Sequence, residues 1–236
     1  MTRTSLWKDI ATALTADIRE GRYSPGDKLP TEAELAARFG VNRHTVRHAL
    51  ADLASAGLVH PRRGAGVFVS ARPTDYPLSR RTRFRENVAA SGRSASRQIT
   101  RIETRAADAR EAEALALLAG DRVHVVEGIS LADGVPLAVF RSVFPAARLP
   151  DFPKAMAETP SITQALAACG VADYTRRETR ITAKLARSVM ALQLRVPEAA
   201  PILRSVAINV DAAGDPVEFG TTWFAGDRVT LTVTPE

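Results

Sequence analysis

The sequence predicts an α+β protein of two domains, and three observations support this prediction. Residues 1–72 show helical periodicity and end in a short hairpin pattern. Residues 97–236 alternate strand-like stretches with short amphipathic helices. Between them, residues 73–96 combine prolines, four closely spaced arginines and small polar residues, as expected of a linker. The length of 236 residues suits two domains of ordinary size.

Positive charge is concentrated in the first half of the chain. Residues 1–72 carry 11 Lys/Arg and 7 Asp/Glu, residues 73–110 carry 9 and 4, and residues 111–236 carry 12 and 15. The net charges are therefore +4, +5 and −3. A basic surplus on one part of a chain suits a polyanionic partner, although it can also only solvate a surface.

The composition argues against a membrane or secreted protein. No apolar run approaches the length of a membrane span, and the N-terminus has no signal-peptide pattern. The single cysteine, Cys169, excludes an internal disulfide and sits in an apolar helical pattern, as a buried structural thiol would. We therefore expect a cytoplasmic protein without a membrane partner, metal or cofactor.

Residues 29–57 have the pattern of two helices joined by a tight turn. Thr31 and Glu34 form a capping box that begins the first of them, and Gly40 supplies the turn. Asn42 is a good N-cap for the next helix, whose inward face follows a 3.6-residue period. An amphipathic helix precedes this pair and ends near Gly21.

The outer face of the second helix carries the residues expected to contact DNA. Arg43 and Arg47 can each grip a guanine edge or a phosphate. Asn42, His44 and Thr45 lie where polar groups at a helix N-terminus can take phosphate oxygens. Acidic residues usually occupy this end of a helix, so arginine and histidine there favour a recognition helix over a merely solvated one.

A basic hairpin follows at residues 58–69. Two short apolar stretches flank a turn that contains glycine, which lets the backbone approach closely, and arginine, which can enter a minor groove or hold phosphates. Its expected DNA contacts are Arg62, Arg63, Gly64 and Gly66. After a helix-turn-helix, this hairpin indicates a winged helix-turn-helix domain.

Residues 5–70 resemble the DNA-binding domain of the GntR family of bacterial regulators. The resemblance rests on three runs, Pro25–Ala36, Gly40–Arg47 and Leu53–Val59. It implies binding of double-stranded operator DNA by a homodimer. The positions that contact the operator in that family match Arg43, His44, Thr45, Arg47, Arg63 and Gly64, and Thr31 lies in the matching motif of the preceding helix.

The run DYPLSRRTRFREN, starting at Asp75, is similar to the HutC-type members of the family that regulate phosphonate-metabolism genes. The resemblance implies that backbone N–H groups of Thr82–Phe84 contact a bound anion. The residues alone leave three possibilities open for the four arginines of this run: added DNA affinity, an anionic ligand site, or solvation.

The second domain is expected to hold seven strands and three helices. The strands are expected at 98–105, 122–131, 137–144, 174–182, 202–210, 216–223 and 228–233, and the helices at 108–119, 160–168 and 189–194. Gly-x-Pro turns at Gly134 and Gly214 hint at a duplicated unit with a pocket between its halves. The HutC resemblance implies an effector-binding (UTRA) domain with a chorismate-lyase-like fold, in which helices cover one face of an antiparallel sheet.

The resemblance also suggests where an effector would bind. Ser161 and Thr163 correspond to one family motif, and Glu218 to another. The family often carries two arginines where this chain has Gly128 and Ser130. Either another arginine supplies the charge, with Arg83, Arg141, Arg176 and Arg177 as candidates, or the effector differs. The expected effector contacts are Arg83, Phe84, Ser130, Arg141, Ser161, Thr163, Tyr174, Arg177 and Glu218.

Together these features predict a ligand-responsive repressor of phosphonate uptake or degradation genes, released from its operator by phosphate, a phosphonate or another small anion. A HutC-type regulator of sugar-phosphate or amino-acid catabolism is the alternative. An enzyme is disfavoured because three of the four histidines lie in the DNA-binding part and none has catalytic or metal-ligand spacing. A purely architectural DNA binder would not need the second domain.

Overall fold

A computed structural model describes residues 6–24, 26–62, 64–70 and 73–234. It divides into two compact units, residues 1–72 and 73–236. The family-matched position Arg63 lies outside the described residues.

The first unit contains three helices and a two-stranded hairpin. Its elements are α1 (Leu6–Arg19), α2 (Glu32–Phe39), α3 (Arg43–Ser55), β1 (Val59–Arg62) and β2 (Gly66–Val69). The antiparallel register runs from Val59 opposite Val69 to Arg62 opposite Gly66. One apolar core joins all five elements, with Leu14, Leu35 and Val46 fully buried. This is the predicted winged helix-turn-helix.

The second unit is built on an antiparallel sheet. Its strands are β3 (Thr74–Pro77), β4 (Ala95–Ala106), β5 (Arg122–Ala132), β6 (Val135–Pro145), β7 (Thr175–Leu185), β8 (Pro201–Val210), β9 (Pro216–Ala225) and β10 (Val229–Thr232). Its helices are α4 (Phe84–Ala90), α5 (Ala109–Leu115), α6 (Phe152–Glu158), α7 (Ile162–Ala168) and α8 (Ser188–Leu194). Six strands form the sheet in the order β4-β5-β6-β9-β8-β7, and β3 pairs in parallel with β10.

The strand order has the form of two similar halves. β4, α5, β5 and β6 make one half, and β7, α8, β8 and β9 make the other. The halves meet where β6 pairs with β9. Helices α5 and α8 each span 7 residues and end on a left-handed residue, Ala116 and Arg195. The hinted duplication is therefore visible in the fold.

Helices cover both faces of the sheet, so the expectation of helices on one face is wrong. On one face, Val125 and Val143 pack with Leu115 of α5. The neighbouring residues Val126 and Phe144 point to the opposite face and pack with α6 and α7. Strands β5 and β6 carry near-continuous buried runs rather than alternation, and such strands need cover on both sides.

The expected linker is also corrected by the structure. Within residues 73–96, β3 and α4 are folded parts of the second unit, and β4 begins at Ala95. Tyr76, Phe84 and Val88 are buried in a cluster with residues of β5, β6, β9 and β10. Three well-spaced apolar residues thus anchor a segment whose prolines and arginines suggested a linker.

Candidate DNA-binding surface and effector site

Local hydrogen bonds set the geometry of the helix-turn-helix. The Thr31 hydroxyl accepts from the Glu34 N–H, and the Glu34 carboxylate accepts from the Thr31 N–H at 2.7 Å. Gly40 ends α2 at a φ of 65°, a left-handed conformation that favours glycine. The Asn42 side chain then caps α3 by accepting from the Thr45 N–H at 2.8 Å. Thr31, Asn42 and Thr45 therefore hold the two helices in place.

The outer face of α3 is open and cationic. Asn42, Arg43, His44 and Arg47 are exposed, and Thr45 is half-buried. The guanidinium of Arg47 donates twice to Glu32 of α2, with Nε to Oε1 at 3.0 Å and Nη2 to Oε2 at 2.8 Å. These bonds lower the pKa of Glu32. A DNA phosphate or base that takes Nε and Nη2 of Arg47 as a pair must replace this carboxylate.

The β1–β2 hairpin, which we call the wing, exposes both its backbone and a cationic side chain at its turn. Gly64 and Gly66 have φ values of 75° and 111°, which bring the chain through the turn. Arg62 lies over the Phe68 ring, 4.4 Å from its centroid. A Cβ at Gly66 would lie 2.7 Å from Cε of Lys28, so Lys28 runs alongside the wing. Sequence reasoning missed Lys28, whose place beside the wing depends on a bridge to Phe68.

A cavity of about 270 Å³ lies between the first turns of α4 and α7, and we call it the α4–α7 cavity. Such a volume suits a small ligand. Among the expected contacts, Arg83, Phe84, Ser161 and Thr163 line it. Its full lining is Arg83, Phe84, Arg85, Glu86, Arg97, Pro160, Ser161, Thr163 and Gln164.

Four expected contacts, Arg83, Ser161, Thr163 and Tyr174, are held at or beside this cavity by hydrogen bonds and stacking. The Ser161 hydroxyl caps α7 by accepting from the Gln164 N–H. Thr163 Oγ1 lies 3.0 Å from the Tyr174 hydroxyl. Burial raises the pKa of Tyr174, and the Glu218 carboxylate adds to that rise. The Arg83 guanidinium stacks on the Tyr174 ring at 3.6 Å and donates to the Tyr174 carbonyl and to Asp173. Arg83 is therefore already engaged.

Glu218 lies on the sheet face that carries α6 and α7, and it is 7 % exposed. Its Oε1 accepts from the Ser142 hydroxyl at 2.6 Å, and its Oε2 accepts from Asn209 Nδ2 at 2.6 Å. Ser142 on β6 and Asn209 on β8 flank β9 on either side. The carboxylate is thus fixed at the junction between the two halves of the sheet. The sequence did not predict either of its hydrogen-bond donors, Ser142 or Asn209.

Two expected effector contacts are corrected by the structure. Arg141 lies on the opposite sheet face, where it pairs with Glu111 at 2.7 Å and with Glu127 at 3.3 Å. Arg177 is exposed at a register shift in β7, and its neighbour Arg176 instead stands opposite Asn209. Directly opposed residues in antiparallel strands share a face, so Arg176 belongs to the Glu218 side.

The expected contact Ser130 is buried, and its neighbour across the strand pair is Arg97, which the sequence did not predict for this site. Arg97 on β4 stands directly opposite Ser130 on β5 and shares its face. Its guanidinium lies 4.8 Å from the Phe140 ring centroid and 5.4 Å from that of Phe84. Strand pairing alone reveals this neighbour, since Arg97 and Ser130 are far apart in sequence.

Comparisons with known proteins agree with this architecture. Residues 6–69 match the family described as bacterial regulatory proteins, gntR family, and residues 90–230 match the UTRA domain. The chain is a GntR-family regulator with a UTRA domain. GntR-family regulators bind operator DNA, and UTRA domains bind small-molecule effectors. This GntR-family chain is therefore a transcriptional regulator of the HutC type.

Relatives extend over nearly its whole length. An uncharacterized HTH-type transcriptional regulator of Rhizobium meliloti is 36 % identical over 97 % of this chain and 94 % of its own length. The probable transcriptional regulator PhnF of Escherichia coli is 31 % identical over 96 % and 94 %. The crystal structure of PhnF from Mycobacterium smegmatis superposes with a TM-score of 0.67 at 27 % identity, covering 96 % and 99 %.

Two further side chains of the second unit, those of His124 and Cys169, pack within it. The His124 ring is buried and contacts Thr104 Oγ1 and the Leu149 carbonyl, which occupy both of its nitrogens. Burial raises the pKa of the Cys169 thiol, which packs against the core. In the part of the chain that the structure describes, no helix is long and apolar enough to cross a membrane.

Proposed function

We propose that this protein is a homodimeric repressor of phosphonate uptake or degradation genes and leaves its operator when a small anion binds. The PhnF relatives support the pathway, because two of them match across nearly the whole chain. The α4–α7 cavity carries the proposal for the ligand. It is small, is lined by Arg83, Arg85 and Arg97, and lies in the second unit, which contains the UTRA domain.

The DNA half of the proposal rests on the open face of α3 and the wing beside it. Arg43, His44 and Arg47 would reach base edges or phosphates in the major groove, and Arg62 would follow the backbone or minor groove. A dimer presents two such helices. It would therefore select a two-fold symmetric sequence with half-sites spaced about one helical turn, roughly 10 base pairs, or a multiple of it.

The ligand would act through the population of dimer arrangements. If it binds best to an arrangement whose recognition helices do not match the half-site spacing, occupancy of the cavity lowers operator affinity. The effect cannot exceed the difference in ligand affinity between the two arrangements. Release in the presence of ligand is thus the property that defines this function.

The test begins with selection of a binding sequence from random duplex DNA by the purified full-length protein. Fluorescence anisotropy then measures affinity for the selected duplex with and without phosphate, methylphosphonate, 2-aminoethylphosphonate or a sugar phosphate. A symmetric site that is released by a phosphonate, and not by a sugar phosphate, supports the proposal. A site with a single half, or release by sugar phosphate alone, contradicts it.

Replacing Glu218 by alanine is expected to abolish ligand-induced release from the selected duplex. The buried carboxylate is held by Ser142 and Asn209 and keeps unused acceptor sites for a hydrogen-bond donor of the ligand, so its loss removes a ligand contact. Anisotropy titrations with saturating ligand measure the effect. Glu127→Ala is the matched control, because Glu127 pairs with Arg141 on the other sheet face. Normal release by the Glu218 variant would remove this residue from the effector site.

A further inference from the structure

The α4–α7 cavity is lined by an arginine, Arg97, that forms no ion pair among the described residues, although Glu86 also lines the cavity. Within the described residues, the guanidinium of Arg97 has no hydrogen-bond acceptor, and its contacts are the rings of Phe84 and Phe140. Its Nε is buried and unpaired. Burial lowers the pKa of Arg97, and Glu218 opposes that change, which places the two groups within electrostatic range. The side chain as a whole is half-buried, so its unpaired guanidinium remains available to the oxyanion of a ligand.

The two β5 residues nearest to Arg97 on this face, Gly128 and Ser130, carry no positive charge. A Cβ at Gly128 would meet the Gln98 carbonyl and would lie 2.9 Å from the Phe140 ring, so position 128 has no room for a side chain. Ser130 is directly opposite Arg97. On this face of the sheet, the cation beside the cavity is thus supplied by β4, at the edge of the sheet, and not by Gly128 or Ser130 of β5.

Glu218 lies on the same face of the sheet and carries a carboxylate. Both of its hydrogen-bond partners, Ser142 and Asn209, are neutral side chains. Among the ion pairs of the described residues none involves Glu218, although the residue is 7 % exposed. A carboxylate offers about four acceptor sites, and two are used. The remaining sites suit a ligand donor, and a cationic donor would also offset the cost of burial.

A second cation reinforces the arrangement. Arg176, opposite Asn209, also has a buried Nε without a partner. Burial raises the pKa of Tyr76, and Arg176 and Arg97 both oppose that rise. This face of the sheet therefore carries two guanidinium groups and one carboxylate that form no ion pair among the described residues.

We propose that the effector is a small zwitterion whose oxyanion lies against Arg97, supported by Arg176, and whose primary ammonium group donates to Glu218. This inference rests on the proposed function, since it assigns the ligand class of the same site. Each end of such a molecule pairs with one charged side chain, half-buried Arg97 or buried Glu218. A purely anionic ligand would leave Glu218 unpaired and would place like charges near each other.

Three probes separate the contributions of the two ends. 2-Aminoethylphosphonate carries both groups, ethylphosphonate carries only the oxyanion, and ethylamine carries only the cation. Calorimetric titration of the full-length protein is expected to show that 2-aminoethylphosphonate binds roughly ten- to hundredfold more tightly than ethylphosphonate, as for one hydrogen bond between charged groups. Ethylamine is expected to show no binding. Equal or tighter binding of ethylphosphonate would overturn the zwitterion assignment.

Variants then assign each end to its residue. In Glu218→Gln, 2-aminoethylphosphonate and ethylphosphonate are expected to bind about equally, because the amide keeps the shape of the side chain and loses its charge. Arg97→Met is expected to weaken both phosphonates by roughly ten- to hundredfold. Arg101→Gln is the matched control, since Arg101 lies on the same strand with an exposed ion pair to Glu103, and it should bind as the wild type does.

The melting temperature of the unliganded protein distinguishes a binding role from a structural one. Methionine can keep contact with Phe84 and Phe140 and removes an unpaired, half-buried charge, so Arg97→Met should melt at or above the wild-type temperature. A lower melting temperature together with unchanged phosphonate binding would overturn the assignment of Arg97. If ethylphosphonate releases operator DNA while the aminated probe does not bind, the regulator proposal stands and the zwitterion inference fails.

Discussion

Replacing Arg47 by alanine is expected to weaken binding to the selected operator by about 1–3 kcal/mol, or roughly 5- to 150-fold. Arg47 is exposed on the outer face of α3, where its guanidinium already makes two parallel hydrogen bonds to Glu32. A guanine edge or a phosphate offers the same paired acceptors. The DNA contact therefore uses a side chain whose fork geometry is set before binding.

The salt dependence of binding decides which partner Arg47 takes. If it holds a phosphate, Arg47→Ala should reduce the slope of log affinity against log salt by about 1 and weaken all duplexes alike. If it reads a base, the slope should stay unchanged and specificity should relax at one position. Arg19→Ala is the matched control, because Arg19 is an exposed arginine at the end of α1. Wild-type affinity in the Arg47 variant at equal salt would contradict the assignment of α3.

Glu32 offers a companion experiment. An exposed ion pair contributes about 0–1 kcal/mol, so Glu32→Gln should free Arg47 and tighten binding by no more than about fivefold. The change also removes a negative charge close to the DNA. Weaker binding by this variant would show that Glu32 is required to orient Arg47 and does not merely compete with DNA for it.

The DNA-binding unit was predictable from the sequence because the patterns that mark its helices and turns are local. The capping box at Thr31, the glycine turn at Gly40 and the cap at Asn42 each depend on residues within one turn, and the structure contains all three. Lys28 was missed because its place beside the wing depends on strand pairing. Local chemistry predicts helices and turns well, and it does not predict which distant strands become neighbours.

The effector site shows this limit most clearly. Arg177 was expected at the site, but a register shift between Arg176 and Glu178 turns Arg176 toward Asn209 instead. A shift of one residue exchanges the two faces of a strand, so sequence position alone cannot choose between adjacent arginines. Arg97 was missed for a related reason, since its link to Ser130 exists only in the pairing of β4 with β5.

Replacing Glu111 is expected to have the largest effect on stability. This carboxylate is 1 % exposed at the start of α5. Arg105 donates to both of its oxygens at 2.7 Å, Arg141 donates to Oε1 at 2.7 Å, and the Asp108 N–H donates at 3.0 Å. Breaking a buried ion pair by removing one partner costs about 3–5 kcal/mol, because the other charge is left uncompensated. Arg105 and Arg141 are partly exposed and keep Glu103 and Glu127 as partners, so Glu111→Ala should lower the free energy of unfolding by about 3 kcal/mol, the lower end of that range.

The same group predicts how stability depends on pH. Burial by itself would raise the pKa of Glu111, but the hydrogen bonds from Arg105, Asp108 and Arg141 outweigh it and bring the pKa from 4.5 to about 2. Because the pKa is lower in the folded state, the stabilisation is present above pH 4.5 and disappears as the pH falls toward 2. A shift of this size corresponds to about 3 kcal/mol.

Urea unfolding measures both effects if the second unit has its own reporter. The chain has 2 tryptophans, Trp7 in the first unit and Trp223 in the second, so a Trp7→Phe background leaves Trp223 to report on the sheet. Glu113→Gln is the matched control, because Glu113 is exposed on the same helix and should change stability by less than about 0.5 kcal/mol. The Glu111 variant should also show a smaller dependence on pH between 4.5 and about 2, while Asp133, Asp173 and Asp211, whose pKa values are also lowered, keep their share of it. A dependence as large as that of the wild type would show that the two arginines do not hold Glu111 ionised.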